Sequence, residues 1–208
     1  SPTAAATETS DGASAPNSPR KFLRGYSAST DLAEGQLVPV PSLPFRAAPR
    51  RGVAPTVPID DVVRYLDADE SAKVIAGGQS LVALMNFRLA TPSLLVDISR
   101  IDDLGRIEVT DTHLVIGAAV RQRTAETSDD VRAHCALIPQ ALGNVGHVQI
   151  RNRGTVVGSI VHADPASELP AVALALDADL LVSGPGGSRV IAAHDFFVAP
   201  YWTTLEHG

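Results

Sequence analysis

Two short stretches carry residues whose types and spacing suit the holding of an anion. The first is Ala76-Gly77-Gly78-Gln79-Ser80, set between the β-rich run KVI (73–75) and LVALMNFRLA (81–90). A strand running into two glycines and then a helix start is a βα turn. There the missing side chains let a ligand approach the backbone, while the outward-facing N–H groups and the helix dipole favour negative charge. On these five residues alone, a phosphate seat and an ordinary βα turn are equally good readings. The pattern is not GxGxxG, and no lysine follows the glycines as a Walker loop requires. Val82 occupies the place of the second glycine of a G-x-S-x-G nucleophile elbow, which excludes that chemistry too.

The second stretch is HVQIRNRGTVVGSIVHADPASELP (147–170). Thr155, Gly158 and Ser159 offer hydroxyls and a small backbone that suit a second phosphate contact. Asp164 is an acceptor for sugar or polyol hydroxyls, although Asp before Pro165 is also a common loop signal. Val157 stands in the middle of what reads as a ligand-cradling turn, where a β-branched side chain is costly if the backbone needs positive φ. His147, His162 and Asp164 lack the spacing of a metal site, so no metal is expected. Cys135, among Ala133, Ala136 and Leu137, reads as a buried, inert thiol. His113 and His194 lie beside turns and read as surface groups.

Composition removes several function classes. The 208 residues carry a net charge of −6 without a basic block, so the electrostatic footprint of a nucleic-acid binder is missing. No window approaches the roughly 18 continuous apolar residues of a membrane span. The start, SPTAAATETSDGASAPNSPRK, has no apolar core of a secretory signal. One cysteine permits no internal disulfide and cannot hold an iron–sulfur cluster, which normally takes four. A cytoplasmic protein is expected.

The elements that must position these residues follow from pattern. Seven of fifteen prolines fall in the first 50 residues, with much Ala, Ser and Thr, so 1–52 is expected to be a disordered tail. Within it Phe22, Tyr26 and Phe45 could mark a short docking segment, although a plain solvated tail is the better reading. PIDDVVRYLDA (58–68) predicts a helix, KVIAGG (73–78) a strand, SLVALMNFRLA (80–90) a helix capped by Ser80, and SLLVDIS (93–99) a strand. The helix at 80–90 would bury a stripe of Leu81, Leu84, Met85 and Leu89. Together these make a parallel βαβ unit over 53–100. Beyond it, 106–120 alternates about an Asp-Thr turn like a hairpin. Residues 127–145 read as a helix broken near Pro139, and 168–198 as a helix followed by two strands about Gly-Pro-Gly-Gly. The second unit, 101–208, is thus expected to be built on an antiparallel sheet, giving an α+β fold.

In order and spacing, KVIAGGQSLVALMNFRLATPSLLVDISRI and GHVQIRNRGTVVGSIVHADPASELPAVALALDADL resemble the FAD-binding medium subunit of molybdenum hydroxylases, the carbon monoxide dehydrogenase and xanthine dehydrogenase family. The similarity covers about residues 58–205. It implies a two-lobed fold of the vanillyl-alcohol-oxidase (PCMH) type, with a small parallel lobe and a larger antiparallel lobe holding an extended FAD. By that resemblance Ala76, Gly77, Gly78, Gln79, Ser80 and Leu81 line the pyrophosphate, and Thr155, Gly158 and Ser159 close on it from the other lobe. Asp164 takes ribityl or nearby hydroxyls, while Asp97 and Ile98 lie near the small-lobe end of the cofactor. The resemblance further implies a molybdopterin-containing large subunit, a [2Fe–2S] small subunit, and NAD, quinone or oxygen as acceptor. The chain itself would supply no catalytic acid or base. Three features depart from the family pattern. Val157 replaces the first glycine of T-x-G-G-S, and the chain ends at YWTTLEHG, where the family continues into a C-terminal domain. The Pro-rich tail stands where the family has a short first strand. The first two support an alternative, a truncated or degenerate FAD domain serving as an assembly module, and if the valine crowds the pyrophosphate Val157→Gly is expected to tighten FAD binding.

Overall fold

The computed structural model describes residues 22–24 and 58–205. The first strand, β1 (Phe22–Arg24), falls inside the span whose composition predicts disorder. The rest of that span, Tyr26 and Phe45 included, lies outside the described residues. β1 is the middle strand of a five-stranded sheet in the order β4-β5-β1-β6-β7. It replaces the expectation that a tail stands in for the family's first strand. Three residues are too few to show a period of two, so the strand is invisible in the pattern; its neighbours define it.

The small unit follows. Helix α1 (Ile59–Ala68) buries Ile59 and Val62. Strands β2 (Lys73–Ile75) and β3 (Leu95–Asp97) pair in parallel, Val74 opposite Val96, with α2 (Leu81–Asn86) between them. This is the βαβ unit expected of the pattern. Helix α2 is shorter than the pattern predicts and has no fully buried residue; Leu89 lies beyond it and is exposed. It ends because Arg88 turns left-handed at φ 57°, with the amides of Leu89 and Ala90 both bonding the Leu84 carbonyl.

The large unit begins with a short 3₁₀ turn (Asp102–Gly105) and the hairpin β4 (Ile107–Val109) and β5 (Leu114–Gly117). Helices α3 (Gln122–Thr127), α4 (Asp129–His134), α5 (Leu137–Leu142) and α6 (Val148–Arg151) then follow closely. The break within 127–145 falls at Cys135–Ala136, and Pro139 sits inside α5. Proline is tolerated there because the first turn of a helix has no intrahelical use for its N–H. Helices α7 (Val156–His162) and α8 (Glu168–Ala175) lead to the hairpin β6 (Asp179–Gly184) and β7 (Gly187–Ala192). Helix α9 (Ala193–Phe196) and the strands β8 (Phe197–Ala199) and β9 (Trp202–Thr203) close the described chain.

β1 pairs in parallel with both β5 and β6, so the sheet is mixed rather than antiparallel. Its two antiparallel hairpins, β4-β5 and β6-β7, are joined through β1. The core beneath includes Ile116, Val120, Leu142, Val156, Ile160, Leu169 and Phe196, each at most 2% exposed.

Candidate cofactor site

The two glycine-containing stretches meet. A methyl group built on Gly77 would lie 2.5 Å from the Arg153 carbonyl oxygen, 2.8 Å from the Gly154 Cα and 3.1 Å from the Thr155 nitrogen. All three neighbours are backbone, so no side chain can move to make room. Gly77 is therefore glycine because the two units touch there. Gly78 has φ 72°, the left-handed region where glycine alone is unstrained. After that turn, the amides of Gly78, Gln79 and Ser80 find no hydrogen-bond acceptor among the described residues. Ser80 sits at the cap position of α2, but its hydroxyl makes no capping bond. Three amides and a hydroxyl are thus left together on the half-buried Ala76–Ser80 loop, with Leu81 as the first helical residue.

On the opposite side, Thr155 is 2% exposed and caps α7, its Oγ1 accepting the Gly158 amide at 3.1 Å. A methyl on Gly158 would come within 2.5 Å of that oxygen. The glycine keeps the cap intact. Ser159 Oγ lies 2.8 Å from Ser167 Oγ and ties α7 to the start of α8. The stretch that reads as a polar turn is therefore a helix N-terminus. Val157 lies within that helix, away from any left-handed residue, and its side chain is 6% exposed in the core. The strain expected at Val157 is not there.

Asp164 is held from two sides: its Oδ1 accepts the Ala166 amide at 2.9 Å, and its carboxylate meets the Tyr201 hydroxyl. Desolvation and then Asp164 raise the Tyr201 pKa. Tyr201 also donates its backbone N–H to Ala163, and its ring lies 5.3 Å from that of His162. At the small-unit end, Asp97 Oδ1 accepts the Ser99 amide at 2.8 Å. Ile98 bonds the Ile75 carbonyl through its amide and sends its side chain into the core, 2% exposed. Ala76, Gly77 and Thr155 are brought together by the Gly77 contact, and Gly158 by the Thr155 cap. Asp164 lies at the far end of α7. No group of three His, Cys, Asp or Glu side chains placed to hold a metal occurs among the described residues. His147 is exposed, and Cys135 is buried.

The seam holds groups the motif reading misses. Arg121 and Thr155 form an isolated antiparallel bridge, the Gln122 amide bonds the Gly154 carbonyl at 2.8 Å, and the Val156 amide bonds the Val120 carbonyl at 3.1 Å. Gln122 is 4% exposed and packs against Gly154, where a methyl would fall 2.9 Å from its Oε1. Arg151 binds both Glu126 oxygens, at 2.9 and 3.2 Å, and the carbonyls of Val145 and Gly146 at 2.8 and 3.0 Å. Arg151 and then burial, with Arg123 beyond, decide the Glu126 carboxyl, which is held below the usual carboxylate range. Arg151 and Gly154 belong to one motif in the sequence; Arg121, Gln122 and Glu126 lie on or just before the featureless helix α3, 25 or more residues before Arg151.

A model of the FAD binding domain in molybdopterin dehydrogenase matches residues 53–208. The chain belongs to that family. It is 42% identical over 151 residues to the 6-hydroxypseudooxynicotine dehydrogenase complex subunit alpha of Paenarthrobacter nicotinovorans, covering 72% of this chain and 51% of the relative. Among solved structures it is similar to quinoline 2-oxidoreductase from Pseudomonas putida 86, with a TM-score of 0.70 at 37% identity, over 72% of this chain and 52% of that one. Carbon monoxide dehydrogenase from Hydrogenophaga pseudoflava gives a TM-score of 0.69, also at 37% identity, over 71% and 52%. The chain spans about half the length of these relatives. FAD is the cofactor of this family of domains, and the residues present fit it. The unpartnered amides of Gly78, Gln79 and Ser80 are donors of the kind a pyrophosphate accepts from. No helix among the described residues is long and apolar enough to cross a membrane.

Proposed function

We propose that the chain is the FAD-carrying part of a medium subunit in a molybdenum-hydroxylase-type complex. As such it is an oxidoreductase component that takes electrons from [2Fe–2S] clusters on a small partner subunit and passes them to an external acceptor such as NAD or quinone. Substrate oxidation belongs to a molybdopterin-containing large subunit, and the complex works in the cytoplasm. One observation carries this reading: Gly77 packs directly on the Arg153–Thr155 backbone, which sets the unsatisfied amides of Gly78, Gln79 and Ser80 beside the start of α7.

In this reading Ala76, Gly77, Gly78, Gln79, Ser80 and Leu81 hold the pyrophosphate from the small unit, and Thr155, Gly158 and Ser159 from the large one. Asp164 accepts from ribityl hydroxyls, with Asp97 and the Ile98 main chain at the small-unit end. The bound flavin supplies redox chemistry that no side chain can provide, and the protein's part is to bind, orient and shield it. Backbone amides suit this role because they neutralise phosphate charge without a titrating group, so binding should not change near neutral pH.

The test is the colour of the purified chain. A flavin absorption band in about one-to-one ratio, released as FAD on denaturation, is the expected result. A colourless protein that gains no band when FAD is added would refute the reading. Co-purification with a molybdenum-containing large chain and a cysteine-rich small one tests the partners separately.

A further inference from the structure

Arg121 lies between the two halves of the site without belonging to either motif. Its Nη1 donates to the Arg153 carbonyl and reaches the Ala76 carbonyl at 3.5 Å. Ala76 and Arg153 are the residues immediately before Gly77 and Gly154, where the two units meet. The same guanidinium is flanked by a second cation, Arg153, and by a single carboxylate, Asp97. Asp97 already accepts the Ser99 amide. A partly buried cation influenced by a second cation and a single carboxylate leaves the seam short of negative charge, and a partly desolvated charge gains most from an added counter-ion. Desolvation and then Arg153 weaken the hold of Arg121 on its proton, with Asp97 opposing them.

We propose that Arg121 is the positioning residue for the diphosphate of the bound dinucleotide: it ties the Ala76 and Arg153 carbonyls together and keeps positive charge at the seam that the ligand's diphosphate balances. The proposal rests on the FAD reading above. Nη1 alone makes both carbonyl contacts, so the Nε and Nη2 N–H groups of the planar fork are left as donors for a diphosphate, which a single lysine ammonium does not match. The recognised class is then a nucleoside diphosphate moiety, with the flavin ring contributing separately.

The experiment titrates the full chain and its Arg121→Ala and Arg121→Lys variants with FAD and with ADP, at low and at high salt. Melting temperatures of the unliganded proteins are recorded alongside. Arg121→Ala is expected to weaken FAD and ADP by the same factor, about tenfold or more, the size of a lost charge-assisted contact. Arg121→Lys should recover part of the loss. The alanine variant should also show a shallower salt dependence for ADP than the unaltered chain, a readout that a purely structural strut would leave unmoved. Unchanged ADP affinity, a loss confined to FAD, or unfolding of both variants overturns the proposal. If the unaltered chain binds neither ligand, the FAD reading fails and takes this proposal with it; if it binds both and the variants match it, only the role of Arg121 falls.

Discussion

Gly77 is the residue at which the two units have least room. Its hypothetical methyl would meet three backbone atoms within 3.1 Å. Gly77→Ala must therefore push the Ala76–Ser80 loop off the Arg153–Thr155 segment. FAD affinity is expected to drop at least about tenfold, roughly 1.4 kcal/mol, in a flavin titration; affinity equal to the unaltered chain would mean that the seam is not the site. Thr155→Val tests the cap alone. It removes the oxygen that accepts the Gly158 amide and should cost about 1 kcal/mol in denaturant unfolding. Gly158→Ala should cost a similar amount, because its methyl would displace the same hydroxyl. Set against the motif that the sequence resembles, Val157 stands where a glycine is expected, which on pattern alone argues against flavin binding. With the side chain 6% exposed inside α7, Val157→Gly now has the opposite expectation. It loses about 2 kcal/mol of apolar burial and about 1 kcal/mol of helix propensity. A lower melting temperature with no tighter FAD binding is the expected outcome, and a gain in affinity would restore the crowding argument.

At the scale of elements, the sequence was most legible where pattern and length agree. The βαβ unit of β2, α2 and β3 appears as read, because a β-rich run, two glycines, a helical run and a second apolar run leave few alternatives. Helix α7 was harder. Val156, Val157 and Ile160 form its buried face, yet Gly158 and the flanking polar residues made TVVGSIVH look like a turn. The Thr155 cap is the sign that could have revealed it, as Thr before an apolar run starts helices. The ion pair between α3 and α6 was not legible, since Glu126 and Arg151 stand 25 positions apart. That pair makes a pH prediction. The Glu126 carboxyl titrates lower in the fold than in the unfolded chain, with Arg151 the main cause. Its stabilisation is therefore complete above the ordinary glutamate range and is lost as pH falls through the depressed folded value. Glu126→Gln should cost about 1–2 kcal/mol at neutral pH, the worth of a hydrogen-bonded ion pair. Its melting temperature should converge with that of the unaltered chain as the pH is lowered below about 4. A deficit that persists unchanged into acid would show that the pair's charge is not what stabilises.

For the whole molecule, the central question is how the two hairpins of the large sheet are joined. Composition argued that residues 1–52 stay out of the fold, because so many prolines and small polar residues bury little apolar surface. That argument concerns averages over a long span, and it fails for any three residues whose backbone is claimed by neighbours. β1 lies between β5 and β6, with Leu23 opposite Ile116 on one side and Leu180 on the other. Without it, β4-β5 and β6-β7 are separate two-stranded ribbons, and such ribbons are marginal on their own. Helix α7 leaves the seam and runs beneath this sheet, with Val156 and Ile160 in the core shared with Ile116 and Leu180. The sheet thus supports the end of the site that Thr155 caps. Leu23→Pro removes one ladder N–H and a compatible φ from the middle strand, which proline does not tolerate. A loss of about 1–3 kcal/mol is expected, the cost of a buried backbone group left without its hydrogen bond, lowering the melting temperature by about 2–12 °C for a chain of this size. Flavin binding should weaken with it, because the start of α7 loses its support. A variant lacking residues 1–25 should behave likewise, since it removes the same strand by another route. Melting temperature and flavin affinity equal to those of the unaltered chain in both variants would show that the two hairpins hold together without β1.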